Sequence, residues 1–232
     1  MRVFPGPEEA ARGCAAEIAG WLREAVRERG RASLAVSGGS TPKLMFEELA
    51  GAEVDWRRVD LFWVDERAVG PEEAESNYGM TRRCLIEPAG IPEANVHRMM
   101  GEWDAVEAAA AYTEELREYF GEAIPRFDVV VCGMGEDGHT ASLFPGEGLV
   151  EDRRGVCAGL WVTKKQQWRI TLLAGVMLGA RRLCVLACGA GKAAAMERVW
   201  REEGPAVDVP ARLLRGGEWF VDEAAVNYEE IR

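Results

Sequence analysis

Histidine and lysine are scarce in this chain. Two histidines, His97 and His139, and four lysines, Lys43, Lys164, Lys165 and Lys192, stand among 232 residues. No two cysteines are spaced Cys-x-x-Cys and no His-Glu-x-x-His occurs, so a structural zinc site is not expected and no metal is assigned. The six cysteines, Cys14, Cys84, Cys132, Cys157, Cys184 and Cys188, lie mostly in apolar stretches and read as free thiols of a reducing cytoplasm. No apolar run approaches the ~18 residues that a membrane span needs. The opening Met1 to Glu9 has no hydrophobic segment of the kind that directs secretion. Positive charge is also in deficit: 28 Lys and Arg against 39 Asp and Glu leave a net charge of −11. That excludes the basic stripe a nucleic acid requires and disfavours an anionic membrane surface. With 48% apolar and 29% charged residues, the chain is neither disordered nor fibrous.

What is present is an alternation of helices and short apolar strands. Glu8 to Arg29 carries Ala11, Ala15, Ile18, Leu22 and Ala25 at helical spacing and stops at Gly30. Ser33 to Ser37 reads as a buried strand ending in Gly38-Gly39, and Thr41 to Leu49 as a helix with Pro42 in its first turn. Strands follow at Val59 to Val64, Phe127 to Cys132, Gly155 to Val162, Arg169 to Leu173, Leu183 to Cys188 and Glu218 to Val221. Helices are expected at Asp104 to Phe120 and Gly191 to Trp200, and a loop at Gly146 to Arg154. Continuously apolar strands between helices predict an α/β fold, a mostly parallel sheet with helices on both faces, in one domain spanning residues 1–232.

Ligands of parallel α/β sheets bind beyond the carboxyl ends of the strands, and four such ends carry unusual residues. Ser37 to Pro42 combines two glycines, three hydroxyls and a helix start; this suits a phosphate, or it is a capped Gly-Gly turn. Asp65-Glu66-Arg67, followed by Ser76-Asn77-Tyr78, puts three charges directly after a buried strand; taken alone it suits a solvated turn with an internal ion pair. Gly133 to Ser142 fits Gly-x-Gly-x-x-Gly. A dinucleotide loop, however, wants an acid at the end of the next strand, and Leu160 to Thr163 supplies none. His139 beside Asp137 in this loop reads instead as a general base or acid. Gly189 to Ala193 is not a P-loop, yet Lys192 stands where a cation could hold a phosphate or simply start a helix; Arg169 is a second such cation.

Taken together, these segments resemble the 6-phosphogluconolactonase family. The matching stretches are SGGSTP at Ser37 to Pro42, VDER at Val64 to Arg67 with SNY at Ser76 to Tyr78, and GMGEDGHTASLFPG at Gly133 to Gly146. RITL at Arg169 to Leu172 and GAGKA at Gly189 to Ala193 complete the family's order. The resemblance implies a fold like that of glucosamine-6-phosphate deaminase and ribose-5-phosphate isomerase. It also implies hydrolysis of 6-phosphogluconolactone to 6-phosphogluconate in the pentose phosphate pathway, without a cofactor. By position, Gly38, Gly39, Ser40, Thr41, Arg169 and Lys192 would hold the phosphate, Asp65 and Arg67 would line the sugar site, and His139 would be the base, supported by Asp137. The partner implied is a small sugar-phosphate lactone; the choice between monomer and small homo-oligomer stays open.

One departure stands out. Leu173, Gly175 and Leu178 occupy places where the family continues Thr-Leu-Pro and reaches an Asn, which predicts a polar contact missing near the base of the site. Two rivals remain. A deaminase on the same fold would use Asp65 as base, but that family has an aromatic residue at the Arg67 position and reads Ile-Ala-Phe-Asn-Glu where this chain has Thr140-Ala141-Ser142-Leu143-Phe144. A non-catalytic sugar-phosphate sensor would not need the retained Asp137, His139 and Lys192.

Overall fold

The computed structural model describes residues 1–200 and 204–226. Ten strands follow one another along the chain: β1 (Arg2–Phe4), β2 (Ala32–Val36), β3 (Val59–Trp63), β4 (Asp65–Arg67), β5 (Val96–His97), β6 (Val129–Gly133), β7 (Cys157–Val162), β8 (Gln167–Leu172), β9 (Arg182–Ala187) and β10 (Glu218–Asp222). Seven of them form a parallel sheet in the order β1-β10-β9-β6-β2-β3-β5. Every residue of β2 and β3 is buried, which explains why all but Ser33 and Asp60 are apolar. The helices are α1 (Pro7–Arg29), α2 (Ser40–Ala50), α3 (Asn77–Thr81), α4 (Glu87–Ala89), α5 (Ala105–Phe120), α6 (Ala174–Gly179) and α7 (Ala193–Trp200).

Local chemistry sets the helix ends. Glu8 and Glu9 lie in the first turn of α1 and Arg27 and Arg29 in its last, matching the helix dipole. Gly30 stops it in the left-handed region at φ 82°. Asp104 caps α5 by accepting from the Val106 and Glu107 N–H groups, an arrangement typically worth about 1 kcal/mol.

The strands at residues 157–162 and 167–172 depart from the expected parallel arrangement. They form an antiparallel hairpin, which β4 joins as an edge strand to make a second sheet, β4-β8-β7. The physical reason is the connection: the short turn Thr163–Lys165 plus Gln166 closes a hairpin but cannot make a crossover. The two sheets meet at Val64. Its N–H donates to Val36 O in the large sheet, and its carbonyl accepts from Leu172 N in the small one, both at 2.8 Å. Elsewhere boundaries move by a residue or two, and the expected helix from Gly191 begins as a 3-10 turn at Ala190–Lys192 before α7.

A charge network closes the β5 edge. His97 stacks on Phe62 with ring centroids 4.4 Å apart; its Nδ1 lies 2.7 Å from Glu115 Oε1 and its Nε2 3.6 Å from Asp60 Oδ1. Buried Asp60 also accepts from Arg31 and from the Tyr119 hydroxyl. Burial opposes the imidazolium, but Asp60 and Glu115 outweigh it and push His97 up from 6.5 to about 9. The folded chain thus holds this proton more tightly than the unfolded one. The resulting stability is complete below pH 6.5 and is lost as pH rises through about 9. The thermal midpoint is expected to fall across that window in the wild type and to stay flat in His97→Gln; equal slopes would place the effect elsewhere.

Candidate active site

The four strand ends singled out by sequence belong to β9, β6, β2 and β3, which are neighbours in that order at the centre of the large sheet. The chain order reverses there, between β6 and β2, the crevice where α/β sheets place ligands. A cavity of about 390 Å³ opens over these ends. Gly38, Gly39, Ser40, Thr41, Asp65, Arg67, His139, Arg169 and Lys192 all line it. Asp137 stands behind His139 and contacts its ring.

After β6 the loop folds back on itself. Gly135 N–H donates to His139 O, Gly138 N–H to Gly135 O, and Thr140 bridges to Leu143. No helix opens after the glycines, so the dinucleotide reading of Gly-x-Gly-x-x-Gly fails on its local structure. His139 Nδ1 lies 2.5 Å from Asp137 Oδ1, which also accepts the His139 N–H at 3.1 Å. A carboxylate only accepts, so Nδ1 carries a proton, and in the neutral ring the lone pair is then on Nε2. Phe144 stacks on the ring at 4.1 Å between centroids and sets its plane. A Cβ on Gly135 would lie 2.0 Å from His139 Nδ1, so only glycine leaves room for this pair. Ala141, at the cavity wall, is held at φ 50°, a left-handed conformation that costs a non-glycine residue of order 1 kcal/mol and is found preferentially at functional sites.

Asp65, Glu66 and Arg67 are not a solvated turn; here the structure corrects the sequence reading. Asp65 is 7% exposed and Glu66 1%, and neither forms an ion pair with a described residue. Glu66 instead accepts from the N–H groups of Arg67, Asn77 and Tyr78 and from Ser76 Oγ. Burial pushes its carboxyl up, against these bonds. The Ser76-Asn77-Tyr78 segment is thereby locked to β4. Asp65 Oδ2 accepts from Ser142 Oγ at 2.7 Å, and its backbone carbonyl accepts from Asn77 Nδ2 at 2.8 Å.

Arg67 and Arg169 are register partners across β4 and β8, so both side chains leave the same face of the small sheet. Arg169 is 8% exposed, and among the described residues neither arginine pairs with an acid. Both Nε atoms are buried without a partner. Burial, and then Arg67 beside it, lowers the Arg169 value below that of an ordinary arginine. Arg67, partly exposed, also donates to the Glu75 carbonyl. Two adjacent guanidiniums, one of them buried and neither paired with an acid, suit an anion.

Across the loop after β2, Ser37 Oγ and Asn77 Oδ1 are likewise buried without partners at the cavity. A Cβ on Gly38 would sit 1.8 Å from Asn77 Oδ1, so the glycine admits the asparagine. Lys192 extends from the 3-10 turn after β9. Leu173, Gly175 and Leu178 do not line the cavity: Leu173 is buried ahead of α6, and Gly175 packs against the Arg153 backbone. The three departures from the family pattern therefore lie outside the cavity wall. Sequence reasoning gave no role to Asn77, Ser142 or Phe144, although all three stood inside the quoted motifs, nor to Lys164, which bonds Asp137 Oδ2.

The family model for glucosamine-6-phosphate isomerases/6-phosphogluconolactonase matches residues 5–221. A 6-phosphogluconolactonase of Synechocystis is 36% identical, over 88% of this chain and 87% of that protein. The structure of 6-phosphogluconolactonase from Trypanosoma brucei superimposes with a TM-score of 0.86 at 29% identity, covering 97% of this chain and 96% of that one. A monomeric glucosamine-6-phosphate deaminase shares the fold alone, with a TM-score of 0.82 at 18% identity over the full length of both chains. The chain belongs to the glucosamine-6-phosphate isomerase/6-phosphogluconolactonase family.

Proposed function

We propose that this protein hydrolyses 6-phospho-D-glucono-1,5-lactone to 6-phospho-D-gluconate, a step of the pentose phosphate pathway. One observation carries the reading. A histidine held in a single tautomer by a carboxylate shares its cavity with two adjacent guanidiniums, Arg169 buried and Arg67 partly so, that have no acidic partner among the described residues. That combination suits a neutral electrophile attached to an anionic handle. The lactonases among the relatives lend it support.

In this reading Arg169, Lys192 and the amides at Gly38, Gly39, Ser40 and Thr41 hold the phosphate, with Arg67 beside Arg169. Asp65, fixed by Ser142, faces the sugar hydroxyls. His139 Nε2 takes a proton from water as the water oxygen adds to the lactone carbonyl. The oxyanion is met by Arg67 or by amides of the Gly133 to Gly138 loop. When the tetrahedral intermediate collapses, the ring C–O bond breaks and the imidazolium returns its proton to the leaving oxygen. A lactone is an activated ester, and no Gly-x-Ser-x-Gly elbow is present, so water needs no acyl-enzyme. Phosphate binding orients the carbonyl and lends remote binding energy to the chemical step.

The net charge of −11 does not oppose this substrate. A small anion meets one cationic cleft rather than the average surface, and salt screens the rest over about 8 Å. The test is time-resolved hydrolysis of freshly made 6-phosphogluconolactone, corrected for its spontaneous reaction, with glucosamine-6-phosphate in parallel. Lactone turnover without deamination is expected; deamination without lactonase activity would overturn the reading.

A further inference from the structure

The residue that stands behind Asp137 belongs to none of the motifs quoted above. We propose that Lys164, at the tip of the β7–β8 hairpin, is a positioning residue for lactone hydrolysis: it fixes the Asp137 carboxylate, which in turn fixes His139. The inference rests on the reading of His139 as the base.

The geometry is a chain of single contacts. Asp137 Oδ1 takes the His139 Nδ1–H and the His139 backbone N–H, and Oδ2 takes the Lys164 ammonium. Without Lys164, Oδ2 keeps no protein partner among the described residues, and the carboxylate is free to turn about its last torsion. Burial disfavours the charge on Asp137, but His139 and Lys164 outweigh it and hold the carboxyl well below the usual range. The carboxylate thus stays an acceptor when His139 becomes an imidazolium, and the proton remains on the ring, where the leaving oxygen needs it.

Lys164 is 61% exposed at its side chain and Asp137 18%. A bridge with one end in water adds little to global stability; what it supplies here is orientation. The tip is itself pinned. Gln166 takes a left-handed φ of 50° and its Nε2 donates to Thr163 O at 2.8 Å, closing the turn that presents Lys164. The same hairpin reaches His139 a second way. Leu160 and Val162 of β7 pack on Phe144, and Phe144 stacks on the imidazole. One element therefore supports both the face of the base and its hydrogen-bond partner.

The experiment compares Lys164→Gln, Lys164→Arg, Asp137→Asn, the double variant Asp137→Asn/Lys164→Gln and His139→Ala, assayed on fresh lactone with thermal midpoints recorded. Lys164→Gln is expected to lower kcat about tenfold, with KM changed less than about twofold and the midpoint unmoved. Lys164→Arg should recover most of kcat. On the Asp137→Asn background the lysine substitution should cost nothing further, because its route to the base is already cut. Unchanged kcat in Lys164→Gln, a rise in KM alone, or an equal kcat loss on both backgrounds would each overturn the proposal. A lowered midpoint without rescue by arginine would do so too, as a purely structural role. Near-normal turnover of His139→Ala would instead remove the base on which the proposal stands.

Discussion

Replacing His139 with alanine is expected to lower kcat by about 10²–10⁴-fold, the usual worth of a positioned general base. The fold should survive. The ring is a quarter exposed, and its side-chain hydrogen-bond partner, Asp137, keeps Lys164 when the imidazole is gone. KM should move little, since the anion is held elsewhere in the cavity. The measurement is steady-state hydrolysis at neutral pH beside a thermal melt of the same preparation. A folded His139→Ala enzyme with near-normal kcat would sink the assignment. Its opposite, loss of activity together with a collapsed midpoint, would make His139 a structural residue of the loop.

Arg169→Met should separate binding from stability. The guanidinium is nearly buried, has Arg67 as its register partner and leaves Nε unsatisfied. In the ligand-free protein that arrangement is a cost, and methionine fills similar space without charge. The thermal midpoint is therefore expected to stay level or rise. Substrate binding loses a charge-assisted contact to the phosphate, and KM should increase about 10²-fold. A lower midpoint with unchanged KM would show Arg169 to be an architectural residue and would move the phosphate site away from β8. The combination of a firmer fold and weaker substrate binding is what a site kept strained for its ligand produces.

Much of this was legible in the sequence because the central strands are buried on both faces. LAV, LFWV, VVVC and LCVLAC are apolar runs, and each is followed within two residues by glycine or charge. The abrupt ends locate the cavity. β1 and β5 escaped notice because three and two residues carry no period. The antiparallel hairpin was misjudged because Cys157 to Val162 alternates as weakly as a parallel strand would, and only the short turn after it decides the matter. Glu66 was hidden for another reason. A carboxylate satisfied by four donors spread over residues 67, 76, 77 and 78 looks, in one dimension, like any charged turn. Lys164 is invisible in kind: its bond to Asp137 spans 27 residues of chain and depends on a hairpin turn that no local pattern ties to the histidine loop.

The contact at Val64 carries a consequence for substrate choice. The proposed base, His139, follows β6 of the large sheet and the paired guanidiniums stand on the small one, and this residue's two backbone hydrogen bonds splice the sheets together. The span from proton acceptor to anion seat is then set by peptide geometry rather than by long side chains. It works as a caliper with a fixed gap. A sugar lactone whose handle hangs one carbon nearer or farther from its carbonyl would fill the same cavity and still present the wrong atom to the water.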